Sequence, residues 1–233
     1  HALGLAPELV LFLPEHGCLV TRFAAGPAAE PGDVRRPEVL AGVARHLRAF
    51  HGGPALPVRF DVIALGERHR ELVRARGGTV PPAYDEAARL AARIAATLGG
   101  AEHALVPCHN DLLPSNFILP AGGPITIVDW EYAGMNDRYF DLGNLAVNNE
   151  LSPADEQLLL EAYWEEPASE RRLATLSLMR IFSDYREASW GLAQTVLSEL
   201  DFDFPAYADK HLARMLDAAA GPDLEGWLRA ATA

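Results

Sequence analysis

Three polar residues in the middle of the chain have the types and the spacing that magnesium-dependent phosphoryl transfer needs. Asn116 follows Asp111 by five positions, and the apolar residues 125–128 lead into Asp129. One carboxylate can orient a hydroxyl, while an amide oxygen and a second carboxylate hold a metal ion that neutralises charge on the phosphate. Each residue alone could also cap a turn near Pro114 or end a strand. The complete spacing, flanked by strands, favours a phosphoryl-transfer site.

The strands on either side of this segment are expected to bring the two metal-ligand candidates together. Residues 117–119 and 125–128 are apolar and flank the turn-forming residues 120–124, a pattern that is typical of a β-hairpin. Asn116 comes just before the first of these strands and Asp129 just after the second. The hairpin therefore predicts that the two side chains lie at adjoining strand ends without any long loop between them.

Further strands are predicted before the site, and helices around it. Residues 9–13 and 18–23 are apolar runs on either side of a Pro-Glu-His-Gly turn, which indicates a hairpin that other elements must cover. Residues 104–108 form a short strand that leads into the polar segment. Helical periodicity and capping residues predict helices at residues 37–50, 85–98, 138–149, 153–164, 169 to about 200, 205–220 and 222–231.

Composition and charge indicate a globular protein that does not bind nucleic acid. The chain has 233 residues, of which 49% are hydrophobic and 22% charged, enough for one large domain or two small ones. Its formal charge of −12 repels phosphate backbones and attracts a small cation. A basic cluster within residues 55–84 is better explained as a solvated helix face than as a binding patch. The cluster consists of Arg68, His69, Arg70, Arg74 and Arg76.

The cysteine content and the absence of long apolar runs predict a cytoplasmic protein that does not enter membranes. Cys18 and Cys108 are too few for a disulfide framework, and both are expected to be small core residues. No run approaches the roughly 18 apolar residues of a membrane span, and no signal peptide is evident. The chain begins with His1 rather than Met, as expected of a fragment.

Three motifs carry a resemblance to a known enzyme group. They are the segments from His109 to Asn116, from Asp129 to Tyr132, and from Asn136 to Asn144. The first two resemble the choline/ethanolamine kinase and aminoglycoside phosphotransferase group of protein-kinase-like enzymes, and the third is similar to the bacterial choline kinase-like proteins. The resemblance implies an α+β, mainly α fold: the C-terminal lobe of a protein-kinase-like fold, with hinge strands and a small catalytic β-hairpin.

The resemblance also implies roles for individual residues. Asp111 matches the catalytic aspartate that orients the hydroxyl of the substrate. Asn116 and Asp129 match the residues that bind Mg²⁺, with ATP as the phosphoryl donor. His109 and Asp141 match residues that support the site structurally.

By the same resemblance, the chain divides into a short hinge region and a helical lobe. Residues 1–25 correspond to a remnant of the N-terminal lobe and the hinge, and residues 26–233 to the helical C-terminal lobe. The hinge residues Thr21, Arg22 and Phe23 meet the adenine through their backbone. Only eight residues precede Leu9 and the only lysine is Lys210, so the family's Gly-rich loop and strand lysine are absent. The missing N-terminal lobe is required for ATP binding, so this truncated chain is expected to be inactive.

The acceptor pocket is predicted from aromatic and acidic residues near the motifs and in the helical tail. A cation above an aromatic ring gains about 0.5 to 2 kcal/mol, depending on desolvation. Asn148 stands where choline kinases place a pocket glutamate, which weakens the choline assignment. Helical spacing of Phe182, Arg186 and Trp190 also fits core packing. The pocket candidates are Tyr132, Asn144, Asn148, Asp184, Tyr185 and Trp190.

These observations lead to one principal hypothesis and two alternatives. The principal hypothesis is an ATP-dependent phosphotransferase that acts on the hydroxyl of a small cationic substrate, as choline and ethanolamine kinases do. The first alternative is an aminoglycoside or macrolide phosphotransferase that confers antibiotic resistance. The second is a non-catalytic, kinase-like binding module. The expected partner is a small molecule, and the sequence leaves the oligomeric state open.

Overall fold

The computed structural model describes residues 3–120, 123 and 125–232, and helices make up most of them. Prolines occupy the first turn of several helices, where their missing N–H costs nothing and their fixed φ suits the helix. The helices are α1 (Pro31–Val34), α2 (Pro37–His51), α3 (Val62–Ala75), α4 (Pro82–Thr97), α5 (Arg138–Asn148), α6 (Pro153–Trp164), α7 (Glu170–Leu197), α8 (Phe204–Ala220) and α9 (Leu224–Ala230).

The strands within the described residues form three small antiparallel sheets. The N-terminal hairpin pairs β1 with β2, β3 pairs with β6, and β4 pairs with β5. The second and third sheets lie on either side of the polar segment that follows β3. The strands are β1 (Leu9–Leu13), β2 (Cys18–Thr21), β3 (Leu105–Cys108), β4 (Phe117–Ile118), β5 (Thr126–Ile127) and β6 (Gly134–Asp137).

The long helix α7 is the centre of the core. It contacts α3, α5, α8 and α9, and residues on several of its sides are buried, among them Leu176, Ile181, Tyr185 and Ala188. A helix that is covered on most sides needs apolar residues around much of its circumference rather than on one stripe. Ser169 caps its first turn by accepting a hydrogen bond from the Arg172 backbone. This helix gives the site a rigid support.

Most predicted helices agree with the structure within a few residues, and the differences have local causes. Helix α4 begins at Pro82, three residues earlier than predicted, because a proline suits the first helical position. Strand β6 was not predicted, since its sequence Gly-Met-Asn-Asp lacks apolar alternation. Of the predicted turn at 120–124, residues 121, 122 and 124 lie outside the described residues.

The prediction that both cysteines are core residues is wrong for Cys18. Cys108 is buried in β3, but Cys18 is exposed at the start of β2. The reason is that the apolar residues of the N-terminal hairpin are not covered: Val10, Phe12 and Leu19 are each more than half exposed. In the part of the chain that the structure describes, no helix is both long enough and apolar enough to cross a lipid bilayer.

Candidate active site

The loop after β3 is held in place by one buried carboxylate at the start of α5. Asp141 accepts hydrogen bonds from the backbone N–H of His109 and of Asn110, each at 2.7 Å. Its Oδ2 also accepts one from Nε2 of His51 at 3.1 Å. Hydrogen bonds to an ionised acceptor are stronger than neutral ones, and Asp141 is completely buried. The backbone of the loop is therefore anchored directly to α5.

Asn110 stabilises the sharp bend of this loop. Its φ of 68° lies in the left-handed region, which asparagine tolerates better than most residues. Its Nδ2 donates to the carbonyl of Tyr132 at 2.9 Å, and its Oδ1 accepts from Nδ2 of Asn136 at 2.9 Å. Both partners lie on the segment between β5 and α5. The loop and that segment are thus tied together immediately before Asp111.

His109 connects the loop to the end of β5. Its Nε2 donates to the carbonyl of Val128 at 2.9 Å, which places the proton of the neutral ring on Nε2. Its ring packs edge-on against Trp130, with 4.6 Å between centroids. Burial lowers the pKa of His109, so the ring is neutral at physiological pH. In this geometry His109 holds the residues on either side of Asp129.

The structure brings Asp111, Asn116 and Asp129 into one place. Nδ2 of Asn116 donates to the backbone carbonyl of Asp111 at 2.8 Å and to its carboxylate Oδ2 at 3.4 Å. The carbonyl of Asn116 accepts from the N–H of Val128 at 2.9 Å, which sets the chain position of Asp129. Asp129 has a φ of 63° and an exposed side chain. The two carboxylates and the amide therefore lie close together, with Asp111 and Asn116 buried and Asp129 exposed.

The Asp111 carboxylate is more basic than an ordinary aspartate. Burial raises its pKa to about 6, and the negative charges of Glu187 and Asp129 act in the same direction. The positive charge of Arg186 and the hydrogen bond from Asn116 oppose the increase in pKa. A carboxylate with this pKa is mostly ionised at neutral pH and is still able to accept a proton.

On the side of α7, a buried arginine faces Asp111. Nη1 of Arg186 lies 3.3 Å from Oδ1 of Asp111 and donates to Oε2 of Glu187 at 2.8 Å. The guanidinium carbon lies 4.6 Å from the centre of the Tyr132 ring. Tyr207 donates to the same Oε2 of Glu187 at 2.8 Å. Arg186 is 2% exposed, so this cluster is almost dry.

Asn144 and Trp190 join this cluster, whereas two other pocket candidates lie elsewhere. Nδ2 of Asn144 donates to Oε1 of Glu187 at 3.2 Å, and its Oδ1 accepts from the N–H of Leu112. Nε1 of Trp190 donates to the hydroxyl of Tyr132 at 3.2 Å. The residues Tyr132, Asn144 and Trp190 are therefore connected to Asp111 through one network.

Asp184 and Tyr185 face other parts of the core. Asp184 forms an ion pair with Arg214 and accepts from Nδ1 of His211 at 2.7 Å. Tyr185 is buried against Gly66 and accepts a hydrogen bond from Tyr84 at 3.3 Å. The hydrogen bonds of both residues are thus made away from the Asp111 loop. Asn148, at the end of α5, is partly buried, and its Nδ2 has no partner among the described residues.

The predicted hinge residues lie at the end of the N-terminal hairpin. Thr21 pairs with Leu9, and the N–H of Arg22 donates to the carbonyl of Glu8 at 2.8 Å. Phe23 is 88% exposed. Thr21 also borders a largely apolar cavity of about 420 Å³ that reaches Trp130, next to Asp129. The hairpin is therefore positioned beside the metal-ligand candidates.

Comparison with known proteins places this arrangement in a family. The model of the phosphotransferase enzyme family matches residues 2–176. The crystal structure of a choline/ethanolamine kinase family protein from Mesorhizobium loti is 30% identical and superposes with a TM-score of 0.87. That alignment covers 99% of this chain and 80% of the other. The chain belongs to the choline/ethanolamine kinase family of phosphotransferases. Its α+β, mainly helical architecture is the kinase-like fold of that family.

The chain is also similar to human ethanolamine kinase 2 and, in fold, to LicA. Human ethanolamine kinase 2 is 28% identical over 231 residues, which is 87% of this chain and 58% of that enzyme. The chain therefore spans somewhat more than half the length of this curated relative. The crystal structure of LicA in complex with AMP has a TM-score of 0.79 at 22% identity, and it covers 97% of this chain and 75% of LicA. LicA shares the fold.

Sequence reasoning did not assign Arg186 or Tyr207 to the site. Helical spacing had placed Arg186 on a core stripe, and Tyr207 carried no signal in the sequence. For Arg186 a signal was present, because three of the four residues 184–187 are charged and lie in the middle of a long helix. Buried charges are costly unless they are paired, so such a group inside a core helix indicates a functional cluster.

Proposed function

We propose that the full-length protein transfers the γ-phosphoryl group of ATP to the hydroxyl of a small cationic alcohol of the choline or ethanolamine type. The observation that carries this proposal is that Asp111, Asn116 and Asp129 lie close together. Family membership adds the reaction class, phosphoryl transfer. The similar proteins whose names state an acceptor include ethanolamine kinases and choline kinases.

Asp111 is the residue that accepts or orients the proton of the acceptor hydroxyl. Its pKa, raised to about 6 by burial, suits a general base that operates near neutral pH. The hydrogen bond from Asn116 holds one carboxylate oxygen in place, while Oδ1 accepts no hydrogen bond from the described residues. Oδ1 is buried and lies 3.3 Å from Nη1 of Arg186. His109 and Asp141 act through the loop backbone, which they position.

Asn116 and Asp129 fit a magnesium ion. Magnesium prefers hard oxygen ligands, and it is usually held by one or two carboxylates together with substrate phosphates. Asn116 uses its amide nitrogen on Asp111, which leaves the amide oxygen for a metal, and the carboxylate of Asp129 is exposed. When bound, the ion neutralises charge on the phosphates. The remaining work of this chain is to orient the acceptor and to exclude water.

We further propose that ATP is gripped by an N-terminal lobe of which this chain holds only a remnant. In this proposal residues 1–25 are a remnant of the N-terminal lobe and the hinge, and residues 26–233 are the helical C-terminal lobe. Thr21, Arg22 and Phe23 meet the adenine through backbone groups at the end of the hairpin. The crystal structure of LicA with AMP supports an adenine nucleotide as the donor. The Gly-rich loop and the strand lysine belong to the N-terminal lobe.

The acceptor lies beside Asp111, next to the aromatic and acidic residues of the α7 cluster. Tyr132 and Trp190 are partly exposed and offer ring faces to a positively charged group, while Glu187 is buried and already paired with Arg186. Asn144 fixes Glu187 through a hydrogen bond. Asp184 and Tyr185, which face elsewhere, take no part in this proposal.

The test is ATP-dependent phosphorylation by the full-length protein of a panel that contains choline, ethanolamine, thiamine and kanamycin. Asp111→Asn should lower kcat by at least ~10²-fold, because the base is removed while the shape is kept. Asp155→Asn, on the exposed first turn of α6, is the matched control and should leave kcat unchanged. No turnover with any acceptor, or turnover that Asp111→Asn does not change, contradicts the proposal.

A further inference from the structure

Arg186 presents a buried edge whose hydrogen-bond donors are not used by the protein. Its Nη1 contacts Asp111 and Glu187, as described above. Its Nε and Nη2 are buried, and neither has a hydrogen-bond partner among the residues that the structure describes. Nε and Nη2 form one edge of the planar guanidinium group, with two parallel N–H bonds. The whole of that edge is therefore unpaired in a nearly dry cluster.

This unpaired edge differs from what is seen at four partly exposed arginines of the described residues. Arg70, Arg138, Arg171 and Arg180 each have a buried Nε without a partner, but their terminal nitrogens are not among the buried unpaired atoms of the described residues. A single unpaired Nε is a common imperfection of packing. A complete unpaired edge on a side chain that is 2% exposed is far more costly, because both donors belong to a charged group. Because leaving both donors unpaired is costly, we expect a ligand to pair with them.

The arrangement of the two donors on this edge indicates which kind of ligand binds there. Two parallel N–H donors match two oxygens of one carboxylate or phosphoryl group, and this bidentate pairing is what favours arginine over lysine. The position of the edge narrows the choice further, because Nη1 of the same group lies 3.3 Å from Oδ1 of Asp111. Because the edge lies on the opposite side of the guanidinium from Nη1, an oxyanion on it is separated from that carboxylate oxygen by the width of the guanidinium group.

We propose that the Nε/Nη2 edge of Arg186 binds an oxyanion of the reacting complex beside Asp111. The proposal rests on the proposed function and deepens it. Two sources share this chemistry. One is the phosphoryl group during transfer, whose equatorial oxygens carry the developing charge. The other is a carboxylate on the acceptor, which makes the preferred substrate a zwitterionic hydroxy acid rather than a simple amino alcohol.

The experiment compares Arg186→Lys with Arg180→Lys in the full-length protein. Lysine keeps the positive charge beside Asp111 and removes the paired donors. Arg180 lies on the same helix and pairs with Glu156, so Arg180→Lys is the matched control. The acceptors are choline and ethanolamine, which lack a carboxylate, and carnitine and homoserine, which carry one. Thermal melting of each variant shows whether it is folded.

The two possible sources of the oxyanion predict different kinetic effects of Arg186→Lys. If the edge binds the transferring phosphoryl group, Arg186→Lys lowers kcat on the order of 10²-fold for every acceptor and leaves the acceptor KM unchanged. If it binds the acceptor carboxylate, Arg186→Lys raises KM for carnitine or homoserine on the order of 10-fold more than it raises KM for choline or ethanolamine. Kinetics equal to those of Arg180→Lys with all four acceptors overturn the proposal.

A binding measurement separates this proposal from the proposed function. Calorimetry records the affinity of each variant for MgADP with aluminium fluoride, a mimic of the transferring group, and for carnitine and homoserine. Weaker binding of any of these to Arg186→Lys than to Arg180→Lys supports the oxyanion site even if no acceptor is turned over. Equal binding to the two variants overturns it, while turnover of choline by the wild-type protein would leave the proposed function standing.

Discussion

At the scale of single residues, Asp141 does the most to shape the site. One side chain binds two consecutive backbone N–H groups of the loop and the ring of His51. The second nitrogen of His51 accepts from the hydroxyl of Tyr163 at 2.7 Å, so the anchor extends from α5 through α2 to α6. A loop with irregular backbone can stay rigid when its polar groups are paired in this way.

Replacement of Asp141 by asparagine should therefore loosen the loop. One of the two oxygens becomes an NH₂ group that faces a backbone donor, and the charge is lost. We expect the free energy of unfolding to fall by about 3 kcal/mol, since hydrogen bonds to a charged group are worth roughly 1.5 to 3 kcal/mol each. Urea denaturation measures this loss. Asp155→Asn, in the exposed capping box of α6, should cost less than about 1 kcal/mol. Equal losses in the two variants would contradict the anchoring role.

The sequence was enough to predict that Asn116 and Asp129 lie close together, but it did not predict that Arg186 on α7 contacts Asp111. Asn116 and Asp129 flank two short strands, so a local hairpin pattern was enough to predict that they lie close together. The contact between Asp111 and Arg186 joins residues far apart in the chain. Periodicity shows which face of a helix is buried, but it does not identify the partner across a long loop. That information required the three-dimensional structure.

At the scale of elements, the close packing of α5 on α7 fixes the loop relative to the arginine cluster. Gly143 on α5 allows this contact, because a Cβ at that position would lie 2.6 Å from the backbone carbonyl carbon of Met179. The two helices cannot approach in the same way if a side chain is present. Asp141 and Asn144 lie on either side of Gly143, so the spacing of the helices also sets the positions of both.

A pair of glycine substitutions tests this contact. Gly143→Ala should lower the free energy of unfolding by about 1 to 3 kcal/mol, because the added methyl group overpacks a rigid interface. Gly226→Ala lies in α9, where a Cβ would meet nothing within 4 Å, and should raise stability by up to about 1 kcal/mol. Denaturant midpoints give both values. A shift of the two variants in the same direction would show that the interface is less tight than described.

The interface of α3 with α7 predicts a pH dependence of stability. Burial lowers the pKa of His69 to about 4 from an ordinary value of 6.5, and Arg186 and Arg68 add to this effect. The unfolded chain therefore binds a proton at a higher pH than the folded chain, and stability falls as the pH decreases from 6.5 towards 4.

The substitution His69→Gln checks this dependence. Glutamine can still bond to Ser189, the partner of Nδ1 at 3.1 Å, but it does not titrate. The variant should lose less stability than the wild type between pH 6.5 and pH 4, as measured by thermal melting in matched buffers. Parallel pH profiles for the two proteins would exclude His69 as the origin.

At the scale of the whole molecule, the proposed assignment of residues 1–25 to a remnant of the N-terminal lobe is testable. In that proposal the chain contains the base and the metal ligands, while the Gly-rich loop and the strand lysine that bind ATP lie outside residues 1–233. We expect it to bind MgATP at least about 10-fold more weakly than the full-length protein does, by calorimetry. Equal affinities would show that residues 1–233 contain the complete nucleotide site.

The exposed N-terminal hairpin also determines how strongly copies of this chain associate in solution. Strands β1 and β2 pair only with each other within the described residues, and Val10, Phe12 and Leu19 are exposed on them. Open strand edges and contiguous apolar surface promote association between copies. The net charge of −12 opposes it at low ionic strength, where screening is weak. Light scattering should therefore show an apparent mass that grows with salt and with protein concentration.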